Sequence, residues 1–212
     1  MKISTNNLIG ELVSQLKPID VVRFKFVDLL KVILTGCLCI FSAVAILGLR
    51  LDFHEQVLNI NFIIGTFLLL LLAVLSIIAA FSLSIPSIKH QKIYRIPIFV
   101  FTLILIFTGY SFLTTSNSLL YLGHGFSCVF EMISIAVLPA TFLFYFIRRA
   151  ATLRRDILGF LVLSSGVAFG LLGVQFICVD STPMHLLLWH ILPSALVMVF
   201  GIWISRQVIE KI

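Results

Sequence analysis

The segment Ile60–Ser84, INFIIGTFLLLLLAVLSIIAAFSLS, runs for twenty-five residues without a single charged side chain. As an α-helix, about 20 apolar residues cross a hydrocarbon layer roughly 30 Å thick, because each residue advances ~1.5 Å along the axis. The segment is therefore long enough to span a membrane. It is too long and too uniformly apolar for the ~10-residue alternating strands of a membrane barrel. Five further stretches have the same character, namely Leu29–Leu49, Ile93–Leu113, Phe126–Ile147, Ile157–Cys178 and Met184–Ser205. Backbone polar groups left unpaired in lipid are costly, so runs of this kind fold as helices. The expected fold is an all-α membrane protein, a bundle of six transmembrane helices.

The rest of the composition agrees. Sixty per cent of the 212 residues are hydrophobic and 11% are charged, against roughly 25% charged in an ordinary soluble domain. No polar stretch is long enough to build a separate soluble core. Residues 1–28 are read as a cytoplasmic tail and residues 29–212 as the six-helix transmembrane domain. The first apolar run has no small-residue cleavage site after it and five more spans follow, so it reads as a span and not as a cleavable signal.

Basic residues stay on the cytoplasmic side of a membrane. Lys2, Lys17, Arg23, Lys25 and Lys31 precede or enter the first span, and Lys89, Lys92 and Arg95 fall in the second connection. Arg148, Arg149, Arg154 and Arg155 fall in the fourth connection, and Arg206 and Lys211 at the C-terminus. Arg50 alone lies in the alternate set. This pattern predicts a multi-pass protein of a bacterial inner membrane with both termini cytoplasmic. The net charge of +6 is then a consequence of topology beside anionic lipid, and nothing in the chain resembles a nucleic-acid module.

In the tail, Leu8, Ile9, Leu12, Val13 and Leu16 recur at intervals of one, three and four, which lines one face of a short amphipathic helix. Asn6 or Asn7 is placed to cap it and Pro18 to stop it. Such a helix either lies on the membrane surface or docks a soluble partner.

Most of the reactive side chains gather toward the outer ends of the last three spans. His124, Cys128 and Glu131 are spaced four and three apart and share a helical stripe. Cys178 ends the fifth span at the same level, with Asp180 and His185 just beyond it. His190 reaches about the depth of Glu131, which makes these two a candidate intramembrane polar pair. Two thiols at matching depth suit a disulfide, a soft-metal site or plain packing. His124, Asp180 and His185 are candidate metal ligands or their supports. Cys37 and Cys39, remote from other polar groups in the first span, read as packing residues and form no CxxC motif.

Two further features read as architecture. Gly159, Gly166, Gly170 and Gly173 share one face of the fifth span, which predicts close packing at the centre of the bundle. Pro139 and Pro193 interrupt the fourth and sixth spans, either as static kinks or as points that transmit motion.

Taken together, these residues resemble the NrsF-type anti-sigma factors, six-span inner-membrane regulators of extracytoplasmic-function sigma factors. The resemblance rests on Leu8-Ile9 with Leu12, Leu16, Lys17 and Pro18, on Gly125-Phe126-Ser127-Cys128 with Pro139, and on Cys178, Asp180-Ser181, His185, Trp189-His190 and Pro193. The chain departs from that pattern at Val179, and at Ile19-Asp20-Val21-Val22, which lacks a second proline. The resemblance implies a transcriptional regulator and not an enzyme. Its tail residues Leu8, Ile9, Leu12, Leu16 and Pro18 would hold the sigma factor at the membrane. Cys128 and Cys178 would sense an oxidant or a thiophilic metal ion in a stress response, with no cofactor beyond a transient soft-metal ion at the pair. The alternatives from other classes are a small thiol/quinone redox enzyme using the same cysteines and a transporter using Glu131 and His190. The first lacks a second thiol pair to relay to, and the second lacks an inverted repeat.

Overall fold

The computed structural model describes residue 14 and residues 26–84, 92–114, 125–148 and 154–209. The tail residues Leu8, Ile9, Leu12, Leu16 and Pro18, with the amphipathic helix expected there, and His124 lie outside the described residues. Six helices are long and apolar enough to cross a membrane, and no strand occurs among the described residues.

The chain order is α1 (Phe26–Leu47), a short α2 (Phe53–Val57), α3 (Ile60–Leu83), α4 (Arg95–Thr114), α5 (Gly125–Ile147) and α6 (Arg155–Ile177). The last span begins with a single turn, α7 (Pro183–His185), widens into a π-helical segment at Leu186–Ile191 and continues as α8 (Leu192–Ile209). All six spans coincide with the apolar runs to within a few residues, because the length of an apolar run and its end caps are local properties. Gly48 ends α1 with a left-handed φ of 89°, its N–H bonded to the Val44 carbonyl at 2.9 Å. Only glycine takes that conformation without strain. Asn59 caps α3, its side-chain oxygen accepting from the Asn61 N–H at 2.9 Å.

Helix α6 is the axis of the bundle. In its most apolar stretch 78% of residues are buried, against 17–39% in the other spans, and it packs on α1, α3, α5 and α8. The glycine stripe makes this possible, with two partners along its length. A Cβ on Gly166 would stand 2.5 Å from the Ala136 carbonyl oxygen, and one on Gly170 would overlap the Met132 carbonyl, so α5 lies directly on the α6 backbone there. Near the other end, Gly159 faces Gly201 of α8 at equally close range. One face meets two neighbours because tilted helices cross each other and do not run alongside for their full length. Midway, Ser76 and Ser164 share a buried hydrogen bond of 3.1 Å that ties α3 to α6.

The ends of the bundle differ in charge. At one end Arg206 makes a paired contact with Asp156 at 3.0 and 2.8 Å, Arg154 donates to Tyr94 at 3.2 Å, Arg148 lies over the Tyr145 ring and Lys31 reaches the Phe146 ring. At the opposite end Arg50 is enclosed, and the reactive side chains converge around it and beneath it.

Candidate functional site

Four elements meet at the Arg50 end. Cys128 sits in the first turn of α5 and is buried. Cys178 is the C-terminal cap of α6, its N–H on the Val174 carbonyl at 2.7 Å. From there the chain turns through Val179–Thr182. Asp180 shapes this turn by accepting from the Thr182 N–H at 2.8 Å, and Pro183 opens the last span, a position where its missing N–H costs nothing. His185 and His190 follow, both buried.

The thiols of Cys128 and Cys178 lie 3.5 Å apart. His185 Nε2 is 3.5 Å from Cys178 Sγ and 3.3 Å from His190 Nε2. All four donor atoms fall within 4.8 Å of one another. On the far side of its ring, His185 Nδ1 meets Asp180 Oδ2 at 3.4 Å.

The two imidazoles converge because of the π segment. Residues five apart on an α-helix point about 140° away from each other. In the wider π turn, which bonds i to i+5, that angle narrows enough for their rings to meet. Here the Leu192 N–H bonds to the Leu187 carbonyl five residues back, and the His185 and His190 rings stand 5.1 Å apart. Pro193 explains the location, since it has no N–H to give the Trp189 carbonyl and the ladder loosens just ahead of it. The π segment also carries Trp189, whose indole covers Gly125 so closely that a Cβ there would overlap the ring. Gly125 thus lets the histidine-bearing segment rest against the turn that holds Cys128.

Arg50 braces the same loop from the α1 side. It is 5% exposed and donates to both carboxylate oxygens of Asp52 at 2.7 and 2.8 Å, to the Val179 carbonyl at 3.2 Å and to Ser181 Oγ at 2.7 Å. Its own N–H bonds to the Phe176 carbonyl at 3.0 Å. The Arg50 guanidinium beside Asp52 holds that carboxyl down at about 2. Beside this brace lies a cavity of about 470 Å³ whose wall includes Arg50, Thr108, Gln175, Cys178, Asp180 and His190. It leads from the Arg50 end to a thiol and an imidazole of the cluster.

Of the residues singled out in the sequence, the structure brings together Cys128, Cys178, Asp180, His185 and His190. Glu131 is half-buried on α5, and no hydrogen bond or ion pair joins it to His190 among the described residues. His190 Nε2 meets His185 Nε2 at 3.3 Å, on the π segment that also brings it toward the cysteines. Cys37 and Cys39 stay on α1, the first exposed and the second half-buried. Three features escaped the sequence reading: the π segment, the Arg50 brace, and the pairing of Trp189 with Gly125. The signal for the first was present as a His-x4-His spacing followed three residues later by proline. Arg50 was marked only by being the one basic residue on the wrong side.

Neither a curated protein nor a solved structure matches the chain. The family model for the negative regulator of sigma F, NrsF, does match, over residues 12–210, which takes in every span and the whole thiol and imidazole cluster. The chain belongs to the NrsF family of negative regulators of sigma F.

Proposed function

We propose that this protein is an inner-membrane anti-sigma factor that holds an extracytoplasmic-function sigma factor against its cytoplasmic face and releases it when Cys128 and Cys178 react at the periplasmic end. The observation that carries the reading is the 3.5 Å approach of these two thiols at the end of the bundle opposite the arginine-rich connections. Basic residues mark the cytoplasmic side, so the thiols are assigned to the side where disulfides form and persist. The tail residues Leu8, Ile9, Leu12, Leu16 and Pro18 supply the apolar face for the sigma factor.

Two reactions suit the pair. Oxidation joins the two Sγ atoms with loss of two protons and two electrons to a peroxide, which leaves as water, and brings the sulfurs from 3.5 Å to ~2.05 Å. Capture of a thiophilic dication forms two metal–sulfur bonds and expels two protons. Either reaction shifts the top of α5 relative to the end of α6. A shift releases a partner only if the reacted and unreacted forms differ in affinity for it, and a tenfold difference is ~1.4 kcal/mol.

The test is co-purification of the sigma factor with the tagged, membrane-extracted chain before and after treatment with peroxide or Cd²⁺. The unsubstituted chain loses its partner on treatment, and the Cys128→Ser, Cys178→Ser double variant keeps it. A double variant that still releases on treatment refutes the sensor assignment, and a chain that never carries a sigma factor refutes the partner.

A further inference from the structure

We infer that the outer end of the bundle is a four-coordinate Cys2His2 metal site for a Zn²⁺-class dication, with Cys128, Cys178, His185 and His190 as its four ligands. The inference deepens the preceding reading and rests on it for the reactivity of the two thiols. It adds both histidines and an intrinsic preference for a tetrahedral ion.

Zinc–sulfur bonds of ~2.3 Å and zinc–nitrogen bonds of ~2.0–2.1 Å at tetrahedral angles separate the ligand atoms by ~3.8 Å for two sulfurs, ~3.5 Å for sulfur and nitrogen and ~3.3 Å for two nitrogens. The observed separations are 3.5 Å between the sulfurs, 3.5 Å from Cys178 Sγ to His185 Nε2 and 3.3 Å between the two Nε2 atoms. These three separations match the edges of such a tetrahedron, and all four donors lie within 4.8 Å of one another. A disulfide would require the sulfurs alone to close further, and it would leave the histidines without a role.

Three further observations point the same way. Asp180 Oδ2 lies 3.4 Å from His185 Nδ1. A proton held on that nitrogen leaves Nε2 free to donate its lone pair, as carboxylates do behind histidine ligands. The π segment is what puts two residues five apart on one face, and such segments concentrate at functional sites. Charge also balances, because binding a dication expels the two thiol protons and the site becomes two thiolates, two neutral imidazoles and one dication. That set is neutral overall and therefore tolerable inside an apolar bundle. Hard ions such as Mg²⁺ and Ca²⁺ find no oxygen shell among the four donors. Entry is through the 470 Å³ cavity, which touches Cys178 and His190.

The test uses the purified full-length chain in detergent, reduced and stripped with chelator, titrated with Co²⁺ and then with Zn²⁺. A single Co²⁺ per chain is expected, with the intense visible bands of four-coordinate cobalt and sulfur-to-cobalt charge transfer, both erased by Zn²⁺. Asp180→Asn weakens binding about 10- to 100-fold, and His185→Gln and His190→Gln each weaken it more. A second reading needs no substitution: peroxide takes both sulfurs into a disulfide and abolishes cobalt binding by the native sequence. The pale spectrum of six-coordinate cobalt, or full-strength binding by both histidine variants, overturns the site. Tetrahedral cobalt in a chain that keeps its sigma factor under every treatment sinks the sensor reading and supports the site. Release on oxidation without any tetrahedral cobalt does the reverse.

Discussion

Substitution of Gly125 by alanine isolates the contact that joins the two halves of the cluster. A Cβ at Gly125 falls inside the Trp189 ring, with three ring atoms as its nearest neighbours. The indole is a rigid plane and cannot yield by bending its tip, so the π segment or the first turn of α5 has to move. Overpacking of this kind costs ~1–3 kcal/mol, while the gain in helix propensity is at most ~1 kcal/mol and smaller at a helix start. Gly173→Ala is the matched control. Its Cβ would meet the Ile135 Cδ1 atom at 2.5 Å, the far end of a flexible side chain that can rotate away, so its net cost is close to zero. Thermal unfolding of the purified chain should therefore separate the two variants by ~1–2 kcal/mol. Oxidative closure of Cys128 and Cys178, followed by mass spectrometry, should slow in Gly125→Ala and not in Gly173→Ala. Adding Trp189→Leu to Gly125→Ala should recover part of the loss, the mark of two residues coupled by contact. Equal stability of the two glycine variants, or no recovery in the double variant, would refute the account of how the cluster is assembled.

Three other outcomes follow from the same geometry. Arg50→Gln removes the guanidinium that ties Asp52 to the Val179 carbonyl and Ser181, so hydrogen exchange at Val179–Thr182 should rise sharply while that of mid-α6 stays unchanged. Because Asp52 is held at about 2 by the Arg50 hydrogen bond, against an ordinary value of 3.8, the brace keeps its full contribution above 3.8 and loses it progressively as pH falls from there through about 2. A pH–stability profile compared with Asp52→Asn should therefore show no difference in slope from neutral pH down to the ordinary carboxylate range. Ser164→Ala breaks the buried hydroxyl pair with Ser76 and should cost roughly 0.6 kcal/mol, in keeping with interhelical hydrogen bonds in membranes.

The spans and the central place of α6 could be read from the sequence because they depend on local quantities, namely the length of an apolar run and the spacing of small residues. The convergence of Cys128 with Cys178 was legible for a related reason: helix rise fixes depth, and two residues at equal depth on neighbouring helices can meet. Rotation about the helix axis was not legible. Counting at 3.6 residues per turn sends His190 away from His185, and only a change of helix type, provoked by Pro193, reverses this. The pairing of Glu131 with His190 rested on depth alone, and no hydrogen bond or ion pair joins the two among the described residues. Arg50 illustrates a different limit, because its partners Val179 and Ser181 are about 130 residues away and no pattern around Arg50 announces them.

A site at one end can govern a partner at the other only if the helices carrying its ligands also reach that other end, and here they do. Cys128 rides on α5, Cys178 on α6 and both histidines on the last span, and these three helices rest on one another through Gly166, Gly170 and the Gly159–Gly201 contact. They end at Arg148, at Asp156 and at Arg206, the last two joined by a paired ion contact. That contact is exposed on both sides and worth under ~1 kcal/mol, so it can break and re-form without unfolding anything. Coupling between sites is reciprocal. If ligation at the cysteines weakens sigma-factor binding by some factor, sigma-factor binding must weaken ligation by that same factor, typically 5- to 150-fold for couplings of ~1–3 kcal/mol. Cobalt affinity measured with and without saturating sigma factor reads this directly. A lower affinity in the complex, reduced to the same degree as the partner's affinity in the metal-loaded chain, is the expected result. Equal cobalt affinity in the free chain and the complex would mean that the metal site and the docking face are energetically independent, whatever their separate strengths.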